Sequence, residues 1–123
     1  MNKRITYSFG VLEVHDCYLK AVINEGISIE SDTATKIIEV SKKFFKKEKF
    51  GYITHRIHSY SVNPIVYKEV SEIPNLVGFA MVSENKETLK NSDFEKYFIK
   101  KPTKAFQKLE DAIDWIKNLV ENS

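Results

Sequence analysis

The chain holds a single cysteine, Cys17, in 123 residues. No disulfide can close within it, and such a composition suits a reducing compartment. Glycine and proline number only four and three, so no Gly- or Pro-rich linker divides the sequence and no low-complexity segment interrupts it. No window approaches the roughly 18 uninterrupted apolar residues of a membrane-crossing helix. Met1-Asn2-Lys3-Arg4 is basic, but the apolar run of roughly 7–15 residues that a secretory leader needs does not follow, and a cytoplasmic location is expected. Neither sign of charge dominates, with 19 Lys and Arg against 17 Asp and Glu. That balance gives no support to nucleic-acid binding, which favours a strongly basic face. GxGxxG, the P-loop, HExxH and GxSxG are all missing, and with them the usual sequence warrant for an enzyme or a cofactor.

What is present is an ordinary globular composition, 42% apolar and 29% charged, long enough for one domain over residues 1–123 with a single core. Ile5 to Phe9 and Val11 to Val14 favour β-structure around Gly10, which predicts an antiparallel hairpin. Cys17 to Asn24 follows as a third strand, with Leu19, Ala21 and Ile23 alternating against Tyr18, Lys20 and Val22. Ser31 or Asp32 is a natural N-cap. Behind it Ala34, Ile37, Ile38, Ser41, Phe44 and Phe45 recur at helical spacing, and the lysines between them fall on the solvated side. The spacing predicts a helix of about four turns.

Phe50 to Pro64 is the central stretch. A strand begins at Phe50, runs through Ile53 and breaks into the polar loop His58-Ser59-Tyr60-Ser61-Val62-Asn63. Pro64 suits the first turn of the next helix, with Ser61 or Asn63 as its cap. Strand, helix, strand implies a parallel pair with a right-handed crossover, and in such sheets sites gather outside the carboxyl ends of the strands. Leu76 to Val82 reads as a strand covered on both faces, and Gly78 inside it marks a close backbone approach. Leu89, Phe94, Tyr97 and Phe98 are the expected buried side of the helical passage after Ser83, which Asn91-Ser92-Asp93 interrupts. Pro102 to Phe106 reads as an edge strand. The last helix carries the stripe Leu109, Ala112, Ile113, Ile116, Leu119 and Val120.

The C-terminal wording, Ala105-Phe106-Gln107-Lys108-Leu109-Glu110-Asp111-Ala112-Ile113-Asp114-Trp115-Ile116, resembles the closing signature of the SpoIIAA-like (STAS/SEC14-like) bacterial proteins. There a short strand ending in Phe runs into a helix with two acidic residues, Ala and Trp. The resemblance implies an α/β, mixed α+β domain: a mixed sheet of about five or six strands with an N-terminal hairpin and helices packed against it. It also implies one of two roles, a phosphorylation-switched regulator that binds a protein partner or a SEC14-like carrier of a lipid or small apolar ligand. The regulators carry an Asp-Ser pair at the start of the helix after the central strand. Ser59-Tyr60-Ser61-Val62-Asn63-Pro64 stands there instead, so that switch does not transfer as such.

The candidate interaction or regulatory residues are therefore His55, His58, Ser59, Tyr60, Ser61 and Asn63. His55 and His58 fall on opposite faces of a continuing strand, and the three ligands of a catalytic zinc are not at hand, so no metal is expected. Ser59 or Ser61 could carry a phosphate at a helix N-terminus, while Ser61 also serves as a plain N-cap. Tyr60 is either an exposed contact or a lid over the core. Cys17 lacks an adjacent base and reads as a small hydrophobe. The expectation is a non-catalytic regulatory or protein-interaction domain without cofactor, binding a protein partner or itself. The alternative is an apolar-ligand site lined by Tyr52, Tyr67, Phe79 and Phe98.

Overall fold

Leu12, Leu19, Ala21 and Tyr52 share one face of a sheet while Tyr18 and Ile53 share the other, and both sets are buried. This two-sided burial in strands of period two requires helices on both faces. The computed structural model, which describes residues 2–91 and 93–123, provides them. The sheet contains β1 (Lys3–Tyr7), β2 (Gly10–Val14), β3 (Tyr18–Ile23), β5 (Phe50–His55), β7 (Leu76–Val82) and β8 (Thr103–Phe106), in that order. The first three strands form an antiparallel meander. β3, β5, β7 and β8 then run parallel to one another. The mixed six-stranded sheet is the one expected, down to β8 at the edge.

α1 (Ser31–Phe44) and α2 (Pro64–Ser71) cover one face, burying Ile37, Val40, Val66 and Val70 against it. α4 (Leu109–Glu121) covers the other, where Ala112 and Ile116 meet Ile53, Ala80 and Val82. Phe106 and Trp115 stack obliquely at its margin, ring centroids 5.7 Å apart. α4 lies unusually low because Gly51 and Gly78 are register partners on β5 and β7. A Cβ on Gly51 would come within 2.3 Å of Ile116, and one on Gly78 within 2.4 Å of Leu119. The expected close approach at Gly78 is thus half of a two-glycine trough.

Several local expectations are corrected. The first hairpin turns at Ser8-Phe9, two residues earlier than the apolar run suggests, with Gly10 at φ 151° opening β2. The N-cap of α1 is Glu30, not Ser31 or Asp32, and no side chain among the described residues closes it. Ser31 Oγ instead donates to Glu69 Oε1 at 2.7 Å, tying α1 to α2. Asn63, not Ser61, caps α2, its Oδ1 accepting from Ile65 N at 3.2 Å. The polar loop is not free either. β4 (Ser28–Ile29) pairs in parallel with β6 (Ser61–Val62), so the loop after β5 is stitched to the loop before α1.

The passage after β7 differs most. A short α3 (Lys86–Asn91) precedes a 3₁₀ turn over Asp93–Phe98. Phe94, Tyr97 and Phe98, expected inside, are 52%, 80% and 41% exposed, and Glu95 is buried in their place. With three residues per turn, Phe94 and Tyr97 fall on the same outer side of the segment, and the Phe94 and Phe98 rings meet edge-on with centroids 6.4 Å apart.

Candidate functional site

The site grows out of the end of β5. Alternation aims Tyr52 and Thr54 at the α1/α2 face and His55 at the α4 face. β5 ends at His55, and the chain stays on the sheet for one more residue, Arg56 N donating to Val82 O at 2.7 Å. The Arg56 side chain then turns inward beneath the 3₁₀ turn. Its Nη1 donates to Glu95 Oε1 at 3.0 Å, its Nε to Thr54 Oγ1 at 3.3 Å and its Nη2 to the Tyr67 hydroxyl at 3.1 Å. A second bond from Nη2 to Glu95 Oε2 makes the ion pair bidentate. The Tyr60 ring lies against the guanidinium, 5.5 Å from centroid to Cζ.

Both charged side chains are only 8% exposed, so the pair survives because the fork geometry and Tyr67 satisfy it. Burial pushes the phenols of Tyr52, Tyr60 and Tyr67 up, with Arg56 opposing in all three. Burial alone would lower the Arg56 guanidinium. Tyr60, Glu95 and Tyr67 outweigh it, so Arg56 stays a cation.

Two spaces meet at this pair. Behind it lies a cavity of about 20 Å³ among Tyr52, Thr54, Tyr60, Tyr67, Phe79 and residues of α1 and α2. That is room for about one water molecule. In front lies an outer cleft of about 410 Å³, bounded by Arg56, His58, Ser59, Tyr60, Ser61 and Val62 on one side and Thr88, Phe94 and Glu95 on the other. Arg56, Tyr60 and Val62 line both spaces.

His58, Ser59, Tyr60 and Ser61 are thus brought together on one wall of the cleft. Tyr60 serves as a lid over the core rather than a free contact, packing against the main apolar cluster. His58, Ser59 and Ser61 are exposed in side chain. The Ser59 amide donates to Glu25 Oε1 at 3.1 Å and the Ser61 amide to Ile27 O at 3.0 Å. Asn63 stands apart as a cap and clamp, its Nδ2 donating to Glu30 Oε1 at 3.0 Å. His55 stands apart too, on the opposite face beside Ser83, Glu84 and Asn85. Its Nδ1 is shut off from solvent with no hydrogen-bond partner among the described residues. Burial, then Lys20, pulls its imidazole below the usual value. Phe98, expected beside Tyr52, Tyr67 and Phe79, does not line the inner cavity.

Arg56 and Glu95 are what the sequence reading missed. Arg56 lies between His55 and His58 in no motif that singles it out, and Glu95 sits among aromatics that a helical pattern would bury. A separate shallow groove at the other end of the sheet has Ile38, Ile73, Pro74 and Val77 on its floor and Lys42, Lys46, Lys47 and Lys49 around it. Among the described residues no group of three or more His, Cys, Asp or Glu side chains is placed to hold a metal ion. No helix among them is long and apolar enough to cross a membrane.

No protein-family profile matches the chain, and no curated protein matches it. Among solved structures it is similar to an uncharacterised protein of the DUF3478 family from Shewanella loihica PV-4, which has a SpoIIAA-like fold. The superposition has a TM-score of 0.52 and covers 94% of this chain and 92% of that one, at 12% identity. Likeness at that identity speaks of architecture alone. By that likeness this chain, with its mixed six-stranded sheet, has a SpoIIAA-like fold.

Proposed function

We propose that the chain is a non-catalytic protein-interaction or regulatory domain that binds a protein partner, a second copy of itself included, through the walls of the outer cleft. The observation that carries this reading is the set of large apolar side chains left in solvent beside it. Phe94 lines the cleft and Tyr97 and Phe98 stand out from the same 3₁₀ turn, while Ile57, 61% exposed, lies at the neighbouring hollow that shares Arg56 with it. Isolated exposed apolar residues are normal, but a cluster of aromatics rimmed by polar groups marks an interaction surface. Pull-down and light scattering on a Phe94→Ser/Tyr97→Ser variant test it. Loss of a partner or of self-association, with the fold intact by circular dichroism, is the expected result. Unchanged partners and mass would sink the reading. Tyr60→Ala is the wrong probe, since Tyr60 is packed into the core.

A carrier of lipid or of an apolar ligand needs several hundred Å³ of enclosed space. The cavity of about 20 Å³ at Tyr52, Tyr67 and Phe79 falls well short of that, which favours the interaction reading over the carrier.

A further inference from the structure

The outer cleft raises a question that protein binding does not answer: why a bidentate arginine–glutamate pair separates it from the core. Three observations bear on this. The Arg56 side chain is 8% exposed, and it presents its fork to a carboxylate with the Tyr67 hydroxyl at 3.1 Å and Thr54 Oγ1 at 3.3 Å beside it. The carboxylate comes from a short segment in which, among residues 93–98, Glu95 alone is buried, with Ile99 anchoring its end in the core. The space in front of the pair, about 410 Å³, lies in the size range of small-molecule sites and is flanked by the rings of Tyr60 and Phe94.

We propose that the Arg56 guanidinium is a binding site for the carboxylate of a small organic acid, and that Glu95 occupies the place of that carboxylate when no acid is bound. The exchange is like for like. An incoming carboxylate keeps the fork–fork geometry and the charge balance of the buried arginine, while Glu95 moves into water, where a carboxylate is well solvated. A guanidinium paired in this way selects a planar bidentate anion over a point charge. The acid's body, short and apolar or aromatic, rests between Tyr60 and Phe94. The cleft is the one whose walls are proposed to meet a protein partner, but acid binding is read on the isolated chain, so the two readings stand or fall on separate measurements.

The test uses the full chain and 3-phenylpropionate, with 3-phenylpropanamide as the uncharged control, read by amide chemical shifts. In wild type the acid shifts resonances of residues 56–62 and 93–98 saturably, and the amide does not. Glu95→Gln keeps the shape and removes the competing charge, so it binds the acid about tenfold more tightly. Arg56→Met abolishes binding in either background. Equal binding of acid and amide, or binding that persists in Arg56→Met, would overturn the proposal. So would a folded Glu95→Gln variant that shows no saturable shift. Should Glu95→Gln fail to fold, the absence of saturable shifts in wild type up to tens of millimolar acid decides against it.

Discussion

His55 Nδ1 is buried without a hydrogen-bond partner among the described residues, on an imidazole whose pKa burial and Lys20 hold below the ordinary 6.5. The native state therefore resists protonation that the unfolded chain accepts. Between the lowered folded value and 6.5, the unfolded chain binds more protons, so stability falls as the pH drops through that window and is level above it. Denaturant midpoints measured across this range should show the decline, and His55→Gln should flatten it. A decline of equal slope in the variant would move the effect elsewhere. Asn63 gives a second residue-scale expectation. Its side chain both caps α2 and clamps Glu30, so Asn63→Ala should lower unfolding free energy by about 1–2 kcal/mol in denaturant titration. Asn63 was legible as a cap candidate because an Asn directly before Pro fits a helix start. Its reach to Glu30 was not, because that bond spans 33 positions of sequence.

Among the elements, α4 and the two strands beneath it act as a matched set. Ile116 is fully buried over Gly51 and would meet an added Cβ with three of its side-chain carbons, whereas Gly78 faces mainly one terminal carbon of the half-exposed Leu119. Gly51→Ala should thus destabilise by about 1–3 kcal/mol, and Gly78→Ala by less. Thermal melts of the two variants rank them, and a reversed order would mean that α4 shifts more readily than its packing suggests. The segment after β7 makes the opposite case. Only Glu95 and Ile99 are buried between residues 93 and 99, so its amides should exchange with solvent much faster than those of β5 and β7. Protection equal to that of the central strands would contradict this. The helices with an unbroken apolar stripe, α1 and α4, were readable from sequence because burial and period agreed. The 3₁₀ segment was not, since its buried group is charged and its aromatics face out, which reverses the usual relation between polarity and depth.

For the molecule as a whole, the mixed sheet was legible from the order of patterns: two short runs around a glycine, then strands alternating with helices. The site was legible in position but not in composition. The loop after β5 is one wall of the cleft, as the carboxyl-end rule suggests. The other wall comes from Thr88, Phe94 and Glu95 beyond the next helix and strand, and only folding places Glu95 on Arg56, 39 positions away. Breaking that pair should be felt globally. Arg56→Met leaves a carboxylate facing a dry site and should cost up to about 3–5 kcal/mol, less whatever is recovered if the 3₁₀ segment lifts Glu95 into water. Chemical denaturation gives the sum, and the Arg56→Met/Glu95→Leu pair tells how much belongs to the unpaired charge.

The stitch between β4 and β6 has a consequence for rates. The backbone amides of Ser61 and Asn63 already bond to Ile27 and Ile29, and Gly26 donates to the carbonyl of Ser59. That wall of the cleft is held in one shape before anything arrives, so a partner meeting it has little ordering to wait for on this side. Encounter, not rearrangement, would set the on-rate there, while any slow, ligand-dependent phase would originate in the 3₁₀ segment across the cleft.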